Sequence, residues 1–334
     1  MTQIANLVGT PSTGRAVAAA LSIAVLLADT TTNAQPSGPE KGIRVLYGCP
    51  SCPERPARLV AEKLGESLKI PISFENVPAA GGNIAADRAA NANPDGRTLY
   101  IAGAPTLAIN VSLDDSLSYS PVRDFAPVTQ LFSFPHVLVI HKSIPAADLQ
   151  EFLVLARAQP GHFTYGHFGN GSPVHLATER LKLITQTDLK PVAYRTSNSL
   201  VQDLRAGRIS ACLCEIAAGM SLVRQGLARA LAITSAERSQ FAPRLPTMKE
   251  AGIANFEFTS WLGLVVPAGT PAHIIGDLHR HAARVLARSD TRAAMGDFMM
   301  RPIGNTPAQF AISINQEIKR WAEIIEETSV RLHN

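Results

Sequence analysis

Aromatic residues make up 6% of the 334-residue chain and charged residues 17%. So few aromatic faces exclude a surface built for stacking bases. Lysine and arginine outnumber aspartate and glutamate by only 31 to 27, and no run of five or six basic residues occurs. The resulting charge of +4 is a weak bias toward anionic solutes, so no nucleic-acid partner is expected. Beyond the N-terminal segment, no apolar run reaches the roughly 18 residues that a membrane helix needs. A Gly-x-Ser-x-Gly elbow, a His-Glu-x-x-His pair, a Walker loop and a dinucleotide fingerprint are all missing. The nine histidines show no metal-ligand spacing, so neither an enzyme nor a resident cofactor is expected. Cysteine is scarce too: there are four, in two close pairs, Cys49 with Cys52 and Cys212 with Cys214.

The length suits two α/β domains, each able to bury a core. Arg15 precedes a short apolar run, residues 16–28, and Thr32-Asn33-Ala34 supplies small residues after it. A charged start, a short apolar core and a small-residue cleavage site make residues 1–34 an expected signal peptide. A buried N-terminal helix is the alternative, but the run lacks amphipathic spacing. After a Pro/Gly linker at residues 35–42, strands alternate with helices. Strands are expected at residues 43–47, 72–75, 98–103, 137–141, 163–166, 189–194, 209–214, 230–234 and 261–266. Residues 55–68 place Ala57, Val60, Ala61, Leu64 and Leu68 on one helical face. Such alternation implies parallel sheets covered by helices on both faces, with ligands beyond the carboxyl ends of the strands.

Three strand-to-helix loops carry candidate chemistry. In residues 165–176, Ser172 is placed as an N-cap and Pro173 as the first helical residue, while Gly169 and Gly171 let a ligand approach the backbone. No acid precedes Glu179 in that helix, which leaves its N-terminal N–H groups to an outside anion or to an ordinary cap. His175 lies in the same helix, as a cleft contact or as a structural histidine. Residues 75–84 form a second strand, glycine turn and helix start, where Asn83 or a ligand could cap. In residues 48–53, Cys49-Pro50-Ser51-Cys52 opens a helix, a pattern shared with redox motifs and with half of a metal site. Cys212 and Cys214 share one strand face. Both pairs are equally open to a purely structural role.

From residue 43 to about residue 321 the chain resembles the Bug-type periplasmic receptors of tripartite tricarboxylate transporters. The matching segments include residues 57–64, 75–84, 93–99, 121–128, 165–176, 230–235, 245–252 and 259–271. The resemblance implies a two-lobed periplasmic-binding-protein fold, type II-like, with two parallel or mixed sheets joined by two hinge strands. It implies one lobe of residues 35–136 plus 264–334 and another of residues 137–263, closing as a clamp. It also implies a monomer that captures a small carboxylate (dicarboxylate, tricarboxylate or aromatic) in the periplasm and delivers it to an inner-membrane tripartite permease. The binding residues expected are Tyr47, Gly48, Ala80, Gly81, Thr106, Gly169, Asn170, Gly171, Ser172, His175, Tyr194 and Glu215; Arg195 is a further candidate on the chemistry of anion recognition alone. Two departures stand out. Cys49-Pro50-Ser51-Cys52 replaces a small Gly-rich loop, and Cys214 replaces an Asp that binds polar ligand groups, unless Glu215 substitutes for it. A thiol-disulfide or soft-metal protein using the two cysteine pairs is the rival expectation.

Overall fold

The computed structural model describes residues 42–332. The expected signal peptide and most of the linker lie outside the described residues. In chain order the elements are β1 (Ile43–Tyr47), α1 (Glu54–Leu68), β2 (Ile72–Asn76), a short turn (Ala79–Gly82), α2 (Asn83–Ala90), β3 (Thr98–Gly103), a second turn (Pro105–Ile109), α3 (Asn110–Leu113) and β4 (Phe125–His141). Then come α4 (Leu149–Ala158), β5 (Thr164–His167), α5 (Pro173–Thr185), β6 (Lys190–Ala193), α6 (Ser197–Arg205), β7 (Ala211–Glu215), α7 (Ile216–Arg224) and β8 (Ala228–Ile233). The chain finishes with β9 (Thr259–Pro267), α8 (Ala272–Ala287), α9 (Ser289–Asp297), β10 (Arg301–Pro302) and α10 (Pro307–Thr328).

Two sheets share β4. Phe125 to Pro135 pair antiparallel with β9, in the sheet that continues through β3, β1 and β2. His136 to Ile140 pair antiparallel with β7, in the sheet that continues through β5 and β6, while β8 pairs along β4's other edge. The change of sheet falls between Pro135 and His136. The first half of β4 was not expected, because Pro127 and Pro135 argue against a strand. The structure places Pro127 at a register shift and Pro135 at the last pair with β9, positions where a missing N–H is tolerated. β9 pairs wholly within the first sheet, starting ahead of the expected boundary at residue 264.

Alternation along each strand divides the cores. On the first sheet Val45, Leu99 and Leu264 face α1 and α8, which bury Val60, Leu64, Leu278 and Ala282. On the second, Val137, Val139, Cys212 and Cys214 face α6 and α7, which bury Leu200, Leu204 and Leu222. The remaining faces share one continuous core. There Tyr100 and Val265 from the first sheet and Leu138 and Leu213 from the second meet α5 and α10. Helix α10 buries Phe310, Ile314, Trp321, Ile324 and Ile325 in that core, and its Glu327 pairs with Arg180 of α5. Gly263 is required under this helix: a Cβ there would sit 2.1 Å from the Phe310 ring.

Candidate functional site

Loops from the two sheets meet around one cleft. At its inner end Ser51, Cys52, Pro105, His136, Pro173 and Trp261 line a narrow pocket of about 10 Å³. At its outer end Gly81, Asn110, Phe168, Asn170, Ser172 and Leu332, among others, line a pocket of about 90 Å³. Ser51, Pro105 and Pro173 line both.

The wall from the first sheet is built by interlocked loops. Tyr47 is buried, and its hydroxyl donates to Cys52 O at 2.8 Å and Cys49 O at 3.3 Å. It shapes the loop and has no donor to spare for a ligand. Burial, and after it the charge of Glu215, pushes its phenol up. Ala80, Gly81 and Gly82 follow one another at φ 52°, 65° and 97°. A Cβ on Gly82 would lie 1.7 Å from the Gly48 carbonyl oxygen, so only a glycine lets these two loops touch. Asn83 is not the cap of α2. Its Oδ1 accepts instead from Asn110 Nδ2 at 2.5 Å and from the Tyr119 hydroxyl at 3.2 Å. Thr106 is buried with its hydroxyl against that of Tyr100 at 2.9 Å, so it forms wall without offering a free group.

The opposite wall is the loop between β5 and α5. Gly169 and Gly171 adopt φ 100° and 74°. Two histidines hold the loop from behind. His167 Nδ1 lies 3.1 Å from Gly169 O, and His175 Nδ1 accepts from the Gly171 N–H at 3.2 Å. The rings stack with centroids 4.5 Å apart. Burial, then His167, lowers the His175 imidazole to about 4, so it is neutral and its Nδ1 is an acceptor. His175 therefore organises the loop. Ser172 is the N-cap residue of α5 and Pro173 its first residue, as expected, yet the Ser172 hydroxyl makes no cap bond. Its Oγ is buried without any hydrogen-bond partner. The helix carries no acid in its first turn.

At the inner end, His136 pairs with Glu215 across β4 and β7. Glu215 is half-buried at the N-cap of α7, and burial raises its carboxyl to about 7. Tyr194 donates to Asp203 at 2.8 Å, which takes its hydroxyl away from the cleft, and Arg195 is exposed. Ser51, His136, Trp261 and Leu332 line the cleft although sequence reasoning did not select them as binding residues. Ser51 lay within a suspected loop. His136, a single histidine at the head of an apolar strand, carried no signal.

Both cysteine pairs are disulfides, Cys49 to Cys52 and Cys212 to Cys214. Cys52 lines the cleft. Cys212 and Cys214 do not line it: they are 1% and 5% exposed and pack in the core beneath α6 and α7. With every sulfur bonded there is no thiolate to hold a soft metal, and among the described residues no cluster of three or more His, Cys, Asp or Glu could hold a metal ion. No helix among them is long and apolar enough to cross a membrane.

The family model described as "Tripartite tricarboxylate transporter family receptor" matches residues 56–330. The chain is 33% identical over 277 residues to protein BugT of Bordetella pertussis, covering 83% of this chain and 85% of BugT. Among solved structures it is similar to MatC of Rhodopseudomonas palustris with bound malate, at 31% identity and TM-score 0.76, covering 86% of this chain and 99% of that one. A second R. palustris protein, solved with adipate, is 28% identical at TM-score 0.81, covering 88% and 99%. These likenesses carry the two-lobed binding-protein fold over the described residues. The chain belongs to the tripartite tricarboxylate transporter receptor family and is a solute-binding receptor rather than an enzyme.

Proposed function

We propose that this receptor captures a short carboxylate in the periplasm, in the cleft between two lobes hinged at β4 and at the entry to β9, and delivers it to a tripartite permease. One observation carries the reading: the buried, unpartnered Ser172 Oγ at an uncapped helix N-terminus that opens on the cleft. The first N–H groups of a helix have no intrahelical partners, and together with the hydroxyl they form a cradle for an anion. Asn170 and Gly171 bring the backbone to the ligand, and Ser51, Gly81 and Asn110 approach from the other wall. The malate and adipate held by the two R. palustris relatives support a carboxylate as the ligand class.

A thermal-shift screen of ligand-free, refolded mature protein against mono-, di- and tricarboxylates tests this. A true ligand at a hundredfold excess over its Kd adds about 2.7 kcal/mol, a rise of several degrees that grows with concentration. Folded protein that responds to no carboxylate overturns the reading.

A further inference from the structure

Among the described residues, two buried side-chain polar atoms have no hydrogen-bond partner: Ser172 Oγ and His136 Nδ1. They line two neighbouring pockets of the cleft that share Ser51, Pro105 and Pro173. Buried polar atoms in native proteins are nearly always paired, so two exceptions so placed point to groups supplied by a ligand. His136 is 4% exposed and lines the inner end. Its ring is held flat against Phe258, centroids 4.4 Å apart, and lies beside Phe134 at 5.8 Å. Its backbone is pinned by Thr234, whose hydroxyl accepts from the His136 N–H at 2.9 Å and donates to its carbonyl at 3.0 Å. These contacts fix the orientation of the imidazole. Glu215, its cross-strand partner, shares that face of the ladder.

We propose that His136 is a ligand-binding residue. Together with Glu215 it forms a second polar anchor at the inner end of the cleft, which takes the distal hydroxyl or carboxyl group of a bifunctional acid whose first carboxylate sits at Ser172. The inference rests on the carboxylate reading above and adds the ligand's second group. Burial holds the imidazole at about 3 and raises the Glu215 carboxyl to about 7, so the ring is neutral with one nitrogen as donor and the other as acceptor. A methyl group in the same place would leave the anchor unpaired. A site built to hydrogen-bond a polar group rejects the analogue that lacks it far more strongly than an apolar pocket separates homologues.

The experiment is titration calorimetry on the refolded mature chain with matched probes. Succinate is compared with butanoate, and adipate with hexanoate, each pair differing by the distal carboxyl group. The unaltered protein is expected to prefer a diacid by about tenfold or more. His136→Phe keeps the stack on Phe258 and is expected to erase that preference while leaving the monoacid affinity within about twofold. A preference that survives in the variant overturns the proposal, as does equal loss of both acids by a variant that folds normally. Should the variant not fold, a crystal structure of the unaltered protein with a bound diacid decides. A distal group within hydrogen-bond distance of a His136 ring nitrogen supports the anchor, and one placed elsewhere, with water alone at His136, refutes it. If the unaltered chain binds none of the acids, the carboxylate reading itself falls; if it binds diacid and monoacid equally, only the second anchor does.

Discussion

Ser172→Ala separates a binding serine from a structural one, because the two roles predict opposite signs. A serine that caps a helix contributes about 1 kcal/mol, and for a chain of this size its loss lowers Tm by roughly 2–4 °C. Here the cap bond is not made, so there is nothing of that kind to lose. The hydroxyl is instead buried and unpaired, a condition that costs about 1–3 kcal/mol in the free protein. Removing it should leave the ligand-free Tm unchanged or raised. Binding should suffer, because a hydrogen bond to a charged group contributes about 1.5–3 kcal/mol, roughly 10- to 150-fold in Kd. Scanning calorimetry without ligand reads the first quantity. Titration with the carboxylate found by the screen reads the second. A variant that melts several degrees lower yet binds with undiminished affinity would refute the reasoning and return Ser172 to a capping role.

Three further outcomes follow from the same geometry. The Glu215 carboxyl, raised by burial to about 7, keeps its proton in the folded chain while the unfolded chain releases it near 4.5. Stability therefore falls between about pH 4.5 and 7 and does not recover above. Glu215→Gln should match the parent near pH 4 and exceed it near pH 8 by on the order of 1–3 kcal/mol in urea melts; an equal difference at both pH values contradicts the burial argument. Gly82→Ala would force a Cβ to 1.7 Å from the Gly48 carbonyl oxygen at a φ of 97°. It should cost more than about 2 kcal/mol and weaken carboxylate binding, and a variant with parental stability would show that the loops do not interlock. Alkylation of unreduced, denatured protein should find no free thiol. With dithiothreitol under native conditions, the pair containing Cys52 at the cleft should open before Cys212–Cys214, which lies in the core; mass mapping showing the reverse order would count against the placement.

The α/β alternation was legible because it rests on local periodicity. The buried face of α1, with Ala57, Val60, Ala61 and Leu64, follows from 3.6-residue spacing alone. So does the start of α5, where Ser172 and Pro173 occupy the positions their chemistry favours. The first half of β4 was hidden because Pro127 and Pro135 are strand breakers except at bulges and sheet ends, and where a bulge falls is decided by the partner strand. Residue type also misled about which polar groups are free. Tyr47, Thr106 and Tyr194 look like ligand donors, yet each hydroxyl is engaged within its own wall, with Cys52, Tyr100 and Asp203. The converse held for His136, whose lack of a partner is a property of the folded surroundings and leaves no trace in the chain. The spacing of Cys212 and Cys214 gave their shared face, but which core lies on that face depends on where α6 and α7 pack.

The two walls of the cleft are each fixed from within, which limits where flexibility can reside. On one side the Cys49–Cys52 disulfide, the Tyr47 hydroxyl and the Gly48–Gly82 contact hold three segments together. On the other, His167 and His175 brace both peptide groups that shape the glycine loop. Binding a solute therefore orders little local structure, and the entropy that loose loops would lose is already absent from the free protein. What remains adjustable is the angle between the walls, set at the Pro135–His136 step of β4 and at the entry to β9. Because His136 is the first residue beyond that step and lines the inner cleft, a ligand that engages it contacts the hinge itself. A solute held by Ser172 alone leaves this residue unpaired, whereas one that also satisfies His136 favours the arrangement in which both orphan atoms face the same molecule. Closure and selectivity for a bifunctional acid are then two consequences of one contact.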